Sequence, residues 1–376
     1  MTAADSLGVY IHIPFCLRKC PYCDFCSIGY DPGMADAYTE AICQEMREAE
    51  TSGRPAATVY LGGGTPPTLG GERLARILAQ VSRIHEVDPA AEITVEANPG
   101  VLDEALVDAL LAAGVNRLSL GVQSFHPSTL TALERIHGPE EAWAAAEMAA
   151  RFCTWSLDLM FGVMGQSPEE AETDAERALS TSTPHVAAYC LTVEEGTALQ
   201  ERVARGGVDL PSPELQREMF DAVGGALEAG GLERYEVSNF ARPGHESRHN
   251  RAYWLGREYV GYGAAAHSCL GSQRSWNVAD PREYIERIAR GRSPSNGREV
   301  RTPRARFLEA LMLRLRTREG VELDGICGLA DAAGETGFRE RLGRQLELGL
   351  VCEAGGRLRL TPAGLPLADS VILALA

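Results

Sequence analysis

Lysine is almost absent from this chain of 376 residues. Of its 36 lysines and arginines, only Lys19 is a lysine. We attribute this bias to genome composition. Acidic residues number 52, and the formal net charge of −16 argues against wrapping nucleic acid or an anionic membrane. Aromatic residues make up only 6%, and no run of 18 apolar residues predicts a membrane span. The N-terminus lacks the basic and long apolar regions of an export signal. We therefore expect a cytoplasmic protein in a reducing compartment.

The composition is that of a large globular chain, with 45% hydrophobic and 23% charged residues. It excludes a disordered tail, a collagen-like repeat and a small disulfide-stapled protein. Short β-branched or apolar runs alternate with stretches of helical periodicity, which predicts right-handed βαβ crossovers and a parallel sheet. We therefore expect an α/β fold, built as a partial (β/α)6 barrel. The predicted strands are 8–13, 57–61, 92–97, 115–121, 155–160 and 186–192, and the clearest helices are 71–84, 103–113 and 168–180.

The chain divides into three predicted regions. The alternation of strands and helices predicts a barrel domain at residues 1–240. Residues 241–300 form an extension rich in aromatic residues and glycine, followed by a polar stretch at 291–303 that we take as a linker. Residues 301–376 predict three helices, a β-pair with a Gly-Gly turn and a last helix, which is typical of a small winged-helix-like domain. With 11 arginines against 10 acids, this domain lacks the basic surface of a DNA-binding module.

Cysteine is concentrated at one end of the chain, since four of the ten cysteines lie within the first 26 residues. Cys16, Cys20 and Cys23 form a C-x3-C-x2-C pattern directly after the first predicted strand. Three thiolates at this spacing suit a [4Fe–4S] cluster with one open iron. The alternative is a structural zinc site, which needs a fourth ligand, and Cys26 and His12 are the candidates for it. Unpaired core cysteines rarely cluster in this way.

A glycine-rich turn, GGGTP at residues 62–66, follows the second predicted strand. Glycines there let backbone amides approach a ligand, although a plain chain reversal explains the turn equally well. Polar residues also end most other strands, and the carboxyl ends of barrel strands are where ligands bind. Helix capping explains any one of these residues, but not all of them together. They are Glu96, Asn98, Gln123, Ser124, Asp158, Tyr189 and Thr192.

Seven motifs follow one another along the chain: YIHIPFCLRKCPYCDF (10–25), GGGTP (62–66), VEANPG (95–100), RLSLGVQSF (117–125), DLMFG (158–162), YEVSNFARPG (235–244) and HNRAYW (249–254). Together they resemble the radical S-adenosylmethionine (SAM) superfamily. Within it they are similar to the HemW family of haem chaperones, which is related to oxygen-independent coproporphyrinogen III oxidases of the HemN type. The resemblance covers most of residues 8–320, and the last domain is similar to the HemN C-terminal module.

The resemblance implies a role for each residue that matches a family motif. The cysteines at positions 16, 20 and 23 would bind the cluster, and SAM would chelate its open iron. Glycine backbone and Glu96 would meet the methionyl amine and ribose, while Arg135 and Asp158 offer charges for carboxylate or amine groups. The implied SAM-binding residues are Tyr10, Tyr22, Gly63, Gly64, Thr65, Glu96, Gln123, Arg135 and Asp158.

The segment from His249 to Trp254 resembles the HNxxYW motif that the HemW family uses for haem. Imidazole is a common axial ligand to haem iron, and aromatic rings stack on a macrocycle. By sequence alone the same residues also fit a core or capping cluster. The implied haem-binding residues are His249, Asn250, Tyr253 and Trp254, and His245 and His267 are further candidate ligands.

Three positions of this chain differ from one or both of the related families. HemN-type oxidases carry a further cysteine two residues after the third one, where this chain has Phe25, as HemW-type sequences do. Cys26 follows one position later, and we interpret it as a spare thiol rather than a ligand. Met164 replaces the proline of a family Pro-Gly-Gln turn, which we expect to form through Gly165 all the same.

The resemblance therefore predicts a haem chaperone that carries haem as cargo, with a [4Fe–4S] cluster and SAM as cofactors. It would pass haem to acceptor proteins, of which respiratory proteins are the expected class, and it need not turn over a substrate. A homodimer and peripheral membrane association through the acceptors are compatible with this prediction, while a nucleic-acid partner is not. The enzymatic alternative is oxidative decarboxylation of coproporphyrinogen III. A redox-sensing winged-helix regulator is a third hypothesis, which the charge of the last domain disfavours.

Overall fold

The computed structural model describes residues 6–49, 51 and 53–376, so the part of the predicted barrel domain at residues 1–5 lies outside the described residues. Within them the chain forms seventeen strands. They are β1 (Leu7–Ile13), β2 (Phe15–Cys16), β3 (Ile28–Gly29), β4 (Pro55–Gly63), β5 (Glu86–Ala97), β6 (Arg117–Gln123), β7 (Thr154–Phe161), β8 (His185–Cys190), β9 (Glu233–Arg234), β10 (Asn239–Ala241), β11 (Tyr259–Tyr262), β12 (His267–Leu270), β13 (Gln273–Asn277), β14 (Ser295–Val300), β15 (Val321–Glu322), β16 (Val351–Ala354) and β17 (Arg357–Leu360).

Fourteen α-helices accompany these strands in the described residues. Many begin at a side chain that accepts a backbone N–H of the first turn, as Asp31, Asp103 and Ser167 do. In the part of the chain that the structure describes, no helix combines the length and the apolar character needed to cross a bilayer. The helices are α1 (Pro32–Glu48), α2 (Gly71–Ile84), α3 (Glu104–Ala112), α4 (Pro127–Ala132), α5 (Pro139–Ala149), α6 (Pro168–Ser180), α7 (Ala198–Ala204), α8 (Pro213–Ala229), α9 (Arg248–Trp254), α10 (Pro281–Ala289), α11 (Pro303–Arg314), α12 (Leu323–Ala333), α13 (Phe338–Glu347) and α14 (Ala368–Leu375).

Six neighbouring strands of one large sheet form the predicted barrel. Strands β1, β4, β5, β6, β7 and β8 lie side by side in chain order, and all of their pairings are parallel. Each crossover between them carries at least one helix, as a parallel βαβ connection requires. The predicted partial (β/α)6 barrel is confirmed, and so are all six predicted strands and the three predicted crossover helices.

The side chains of β1 alternate between the main core and the opposite face of the sheet. In β1 four aliphatic side chains are fully buried in the main core, while Tyr10 and His12 alternate with them on the other face. Helix α2 contributes side chains spaced three or four residues apart to the same core, as an amphipathic helix does. These core residues are Leu7, Val9, Ile11 and Ile13 of β1, and Leu74, Ile77, Leu78 and Val81 of α2.

An extension continues the sheet beyond β1. Strand β11 pairs with β1 in parallel, and β12, β13 and β14 follow as antiparallel neighbours. The predicted linker at 291–303 is therefore wrong for residues 295–300, which form β14 and pair with β13. Most side chains of β14 are exposed at the edge of the sheet, so the polar sequence resembles a loop although its backbone is paired.

Glu45 of α1 fastens this extension to the barrel. Its carboxylate accepts hydrogen bonds from Gly263 N at 2.8 Å, from the Tyr284 hydroxyl at 2.6 Å and from Asn277 Nδ2 at 2.6 Å. Burial raises the pKa of Glu45 to about 7. Three donors from the extension thus depend on one acceptor on the barrel.

The last part of the chain has a core of its own, built from the helices α11 to α14 and a small sheet. The predicted helices, the β-pair and the last helix are confirmed. The two-residue strand β15 adds a third strand by pairing with β17, and it is too short to produce a sequence signal. The domain contacts the barrel through backbone hydrogen bonds from Val237 N to Arg316 O at 3.1 Å and from Arg318 N to Tyr235 O at 2.9 Å.

Replacing Glu45 tests how strongly the extension depends on it. We expect Glu45→Ala to lower the free energy of unfolding by about 3 kcal/mol, because Gly263 N and the Tyr284 hydroxyl lose their acceptor and Asn277 Nδ2 keeps only Gly263 O. Glu48→Ala on the exposed face of the same helix is the control and should change it by less than about 0.5 kcal/mol. Urea unfolding of both variants measures the difference, and equal values for the two would contradict this role.

Candidate cluster and SAM site

The cluster loop joins β2 to β3 and carries the three predicted cluster ligands. Its base is closed by hydrogen bonds from Ile28 N to Pro14 O at 2.7 Å and from Tyr30 N to Cys16 O at 2.8 Å. A turn bond from Cys23 N to Cys20 O at 3.2 Å shapes its tip. Cys16, Cys20 and Cys23 all line one cavity of about 330 Å³ inside the barrel. The loop therefore presents its thiols to the barrel interior.

A zinc ion and an iron–sulfur cluster require different arrangements of these thiols. Among the described residues, no three histidine, cysteine, aspartate or glutamate side chains converge closely enough to hold a single metal ion. A cluster instead takes one thiolate on each of several irons, so its ligands stand apart. Both candidate fourth zinc ligands are engaged elsewhere, since His12 Nε2 bonds to Cys26 O at 2.7 Å and Cys26 Sγ donates to Ala279 O at 3.2 Å.

Polar groups of the barrel surround the cluster thiols. Arg135 Nη1 lies 3.4 Å from Cys20 Sγ, and Thr65 Oγ1 lies 3.7 Å from Cys16 Sγ. Arg135 Nη2 also donates to Asn98 Oδ1 at 2.5 Å and to Gly121 O at 2.7 Å, while its Nε is buried without an acceptor among the described residues. Arg135 therefore connects the cluster loop at Cys20 with β6 and with the turn that follows β5.

The glycine-rich turn after β4 holds the chain against the cluster loop. Gly63 has φ +110°, and a Cβ at this position would lie 2.4 Å from the His12 ring. A Cβ on Gly64 would lie 2.6 Å from Phe15 O, because Gly64 N donates to Ile13 O at 2.8 Å. Both positions therefore require glycine, and their backbone faces the cavity as the sequence predicts.

Eight of the nine predicted SAM-binding residues line the barrel cavity. Tyr10 is the exception, because its ring lies at a second cavity and its hydroxyl bonds to His12 Nδ1 at 3.1 Å. Of the other polar strand ends, Ser124 is buried outside this cavity and donates to Asp174 at 2.6 Å. The eight are Tyr22, Gly63, Gly64, Thr65, Glu96, Gln123, Arg135 and Asp158.

Two buried carboxylates, those of Glu96 and Asp158, line this cavity and repel each other electrostatically. Glu96 accepts hydrogen bonds from the Tyr60 hydroxyl at 2.6 Å and from Gly63 N at 3.0 Å, and burial raises its pKa. Burial and the charge of Glu96 raise the pKa of Asp158 to about 7, although Ser119 Oγ donates to it at 3.2 Å. The cavity thus holds negative charge that a bound cation would stabilise.

Sequence reasoning missed several residues that also line the cavity. A period-two projection back from Gln123 along β6 would have found Ser119 and Arg117, because alternate strand residues share a face. Arg117 is 1% exposed, and its Nη1 donates to His245 O at 2.9 Å. The missed residues are Tyr60, Arg117, Ser119, His185 and Asn239.

The residues of the HNxxYW segment lie on helix α9, but they do not face one cavity. His249 is 1% exposed, and its Nδ1 and Nε2 bond to Thr58 Oγ1 at 2.8 Å and to the Tyr253 hydroxyl at 2.9 Å. Asn250 lines the barrel cavity, whereas Tyr253 lines the second one. Trp254 has a buried indole N–H with no acceptor among the described residues.

A buried carboxylate holds the start of this helix. Glu92 accepts hydrogen bonds from His249 N at 2.9 Å and Arg248 N at 3.0 Å, which places negative charge at a helix N-terminus. Arg117 lies 3.9 Å from the same carboxylate.

The turn at Met164 forms as expected, since Gly165 has φ +75° and Gln166 N donates to Val163 O at 3.0 Å.

Comparison with known proteins shows the family of this chain. Residues 10–178 match the Radical SAM superfamily, and residues 302–367 match the HemN C-terminal domain. The chain is 39% identical to the heme chaperone HemW of Mycobacterium tuberculosis, over 99% of this chain and 95% of that relative. The chain belongs to the HemW family. HemW relatives from Bacillus subtilis and Escherichia coli are 36% and 34% identical, over 90% and 97% of this chain and 88% and 96% of their own lengths.

The fold of this HemW-family chain also matches a solved structure. It superposes on the coproporphyrinogen III oxidase HemN of Escherichia coli with a TM-score of 0.85 and 21% sequence identity, covering 99% of this chain and 90% of that one. This similarity supports the radical SAM barrel and the C-terminal domain as the fold.

Iron loading distinguishes the three cavity cysteines from Cys26. We expect Cys16→Ser to lose most of the cluster after anaerobic reconstitution, whereas Cys26→Ser keeps it, because the Cys26 thiol donates to Ala279 O instead of lining the cavity. Iron and acid-labile sulfide content measure the outcome. Loss of iron in Cys26→Ser with retention in Cys16→Ser would reverse the ligand assignment.

The raised pKa of Asp158 predicts a pH-dependent stability. Its folded pKa of about 7 exceeds the ordinary value of 3.8, so its stabilising protonated form is lost as the pH rises through 7. In the cofactor-free protein we expect Asp158→Asn to raise the free energy of unfolding by about 2 kcal/mol more at pH 8 than at pH 5, because between these values the folded protein loses a proton that the unfolded chain has already released. Denaturant titrations at both pH values measure this, and an equal effect at both would rule out the charge as its cause.

Proposed function

We propose that this chain is a haem chaperone that works with a [4Fe–4S] cluster and SAM. The observation that carries the proposal is its similarity, over nearly the whole chain, to relatives named heme chaperone HemW. The barrel cavity supports the cofactors, because three cysteines, a glycine turn and buried charged groups meet in it. Binding and delivery of haem form the activity, and no substrate need be turned over.

The residues of the cavity fit the two cofactors. A [4Fe–4S] cluster would be held by Cys16, Cys20 and Cys23, and it would supply an open iron for the amino and carboxylate groups of SAM. Glu96 and Asp158 would stabilise the positive sulfonium of SAM, whose charge would offset part of the cost of burying two carboxylates. Arg135 keeps the cluster loop and the loop after β5 together through Cys20 and Asn98.

The oxidase alternative rests on the shared fold. HemN from Escherichia coli has the same architecture, but at 21% identity this similarity shows a shared fold and does not show a shared activity. Phe25 stands where HemN-type sequences have a further cysteine, and its side chain is 58% exposed beside the cavity. We therefore place the chaperone ahead of coproporphyrinogen oxidation.

The remaining parts of the proposal follow from the same family membership. The acceptors are proteins that need haem, with respiratory proteins as the expected class, and the site of action is the cytoplasm. A homodimer and a peripheral membrane association through the acceptors are compatible with the proposal. Nucleic acid is not a partner, because the net charge is −16 and the last domain carries almost no net charge.

Two assays on one preparation test the proposal. The anaerobically reconstituted protein should bind haemin with a shifted Soret band, because an axial protein ligand changes the electronic state of the iron. With SAM and a reductant it should convert no coproporphyrinogen III, which product analysis by chromatography measures. Formation of protoporphyrinogen IX, or the absence of haemin binding, would contradict the chaperone function.

A further inference from the structure

A second cavity of about 420 Å³ lies between the extension and the C-terminal domain. Strands β12 and β13 form one wall, and helix α11 contributes Met312 and Leu313 to another. Its volume falls within the range of about 300–1,000 Å³ that is typical of small-molecule sites. Sites of this kind occur preferentially between domains, as this cavity does.

The walls of this second cavity are mainly aromatic and apolar. Tyr10, Tyr253 and Tyr259 line it, and Tyr253 and Tyr259 contact each other edge to face with ring centroids 4.7 Å apart. His267 and Cys269 are two residues apart on β12, so they share the face that looks into the cavity. A flat aromatic ligand fits such walls.

His267 is the imidazole that this cavity offers to a metal. It is exposed, and among the described residues none forms a hydrogen bond with either of its ring nitrogens. Its ring lies against Trp276, the neighbour across the β12–β13 pair, with centroids 5.9 Å apart. By contrast, both ring nitrogens of His249 are occupied by Thr58 and Tyr253, and both of His12 by Tyr10 and Cys26.

The charge of the cavity wall is opposite to that of the whole chain. Arg274, Arg301 and Glu309 give this wall a formal sum of about +1, whereas the chain carries −16, and Arg257 lines the cavity as well. Glu309 pairs with Arg274 at 2.6 Å and with Arg301 at 3.2 Å. The buried Arg301 Nε has no acceptor among the described residues. The three arginines are Arg257, Arg274 and Arg301.

We propose that this second cavity is the haem site and that His267 ligates the haem iron. The tetrapyrrole would lie among Tyr10, Tyr253 and Tyr259, and its two propionates would face the arginines. The geometry assigns the HNxxYW segment a supporting role, since only its Tyr253 reaches this cavity from that motif while His249 braces the tyrosine hydroxyl. The proposal rests on the haem-chaperone function and gives it a site separate from the cluster.

The first test compares porphyrins with and without iron on the full-length reconstituted protein. His267→Ala should weaken haemin binding about tenfold or more and remove the histidine-ligated signature from the electron paramagnetic resonance spectrum. It should change the affinity for metal-free protoporphyrin IX by less than about twofold, because the apolar walls remain. His126→Ala, which alters a half-buried histidine outside both cavities, is the matched control and should leave both affinities unchanged.

The second test addresses the propionates. Arg301→Ala should weaken the binding of haemin and of protoporphyrin IX alike, since both carry two carboxylates. Arg298→Ala on β14, an exposed arginine three residues before Arg301, is the control and should affect neither. Circular dichroism and urea unfolding confirm that each variant is folded.

The outcomes separate this inference from the function on which it rests. If the unaltered protein binds no haemin at a 1:1 ratio, the haem-chaperone function fails. If it binds haemin, but His267→Ala keeps the affinity and spectrum while His249→Gln loses them, the function stands and the site assignment is overturned.

Discussion

The hydrogen bonds of Glu96 connect the parts of this molecule that carry its proposed function. One carboxylate oxygen accepts from Gly63 N, which fixes the glycine turn against the cluster loop, and the other accepts from the Tyr60 hydroxyl. Tyr60 in turn stacks on Tyr10 and on His249 of helix α9, with centroids 6.2 and 4.9 Å apart. A single acceptor at the carboxyl end of β5 therefore orients groups on β1, β4 and α9. Burying this carboxylate costs free energy, and a cationic ligand in the cavity beside it would offset that cost.

Helix α9 separates the two cavities and contributes to both. Asn250 faces the barrel cavity, Tyr253 faces the second cavity, and the buried His249 between them bonds to Tyr253. His12 forms a second connection, since it binds Tyr10 at the second cavity and the Cys26 carbonyl of the cluster loop. Contacts thus run continuously from the cluster loop to the proposed haem cavity. Such a chain of packed and hydrogen-bonded side chains is one physical route by which one site influences another.

Much of the fold could be predicted from the sequence, because buried parallel strands and amphipathic helices leave strong periodic patterns. The sequence predicts that the strand ends at Glu96, Gln123 and Asp158 lie close together, and all three line the barrel cavity, since parallel strands end at one rim. The sequence of strand β14 resembles a linker because an exposed edge strand needs no apolar residues. The second cavity left no pattern in the sequence, because its walls come from β1, α9, β12 and α11, which are distant in the chain. The placement of Tyr10 followed the family motif, and only the tertiary structure showed that its ring faces the other cavity.

The central claim of this account is that one chain holds two separate iron centres, a cluster within the barrel and a haem beside the C-terminal domain. A crystal structure of the anaerobically loaded protein with haemin, with anomalous scattering recorded at the iron edge, tests it most directly. The account predicts one compact iron peak within reach of Cys16, Cys20 and Cys23, and a second, single iron bound to the imidazole of His267. Haem iron located inside the barrel cavity, or bound to His249 after α9 has moved, would contradict it.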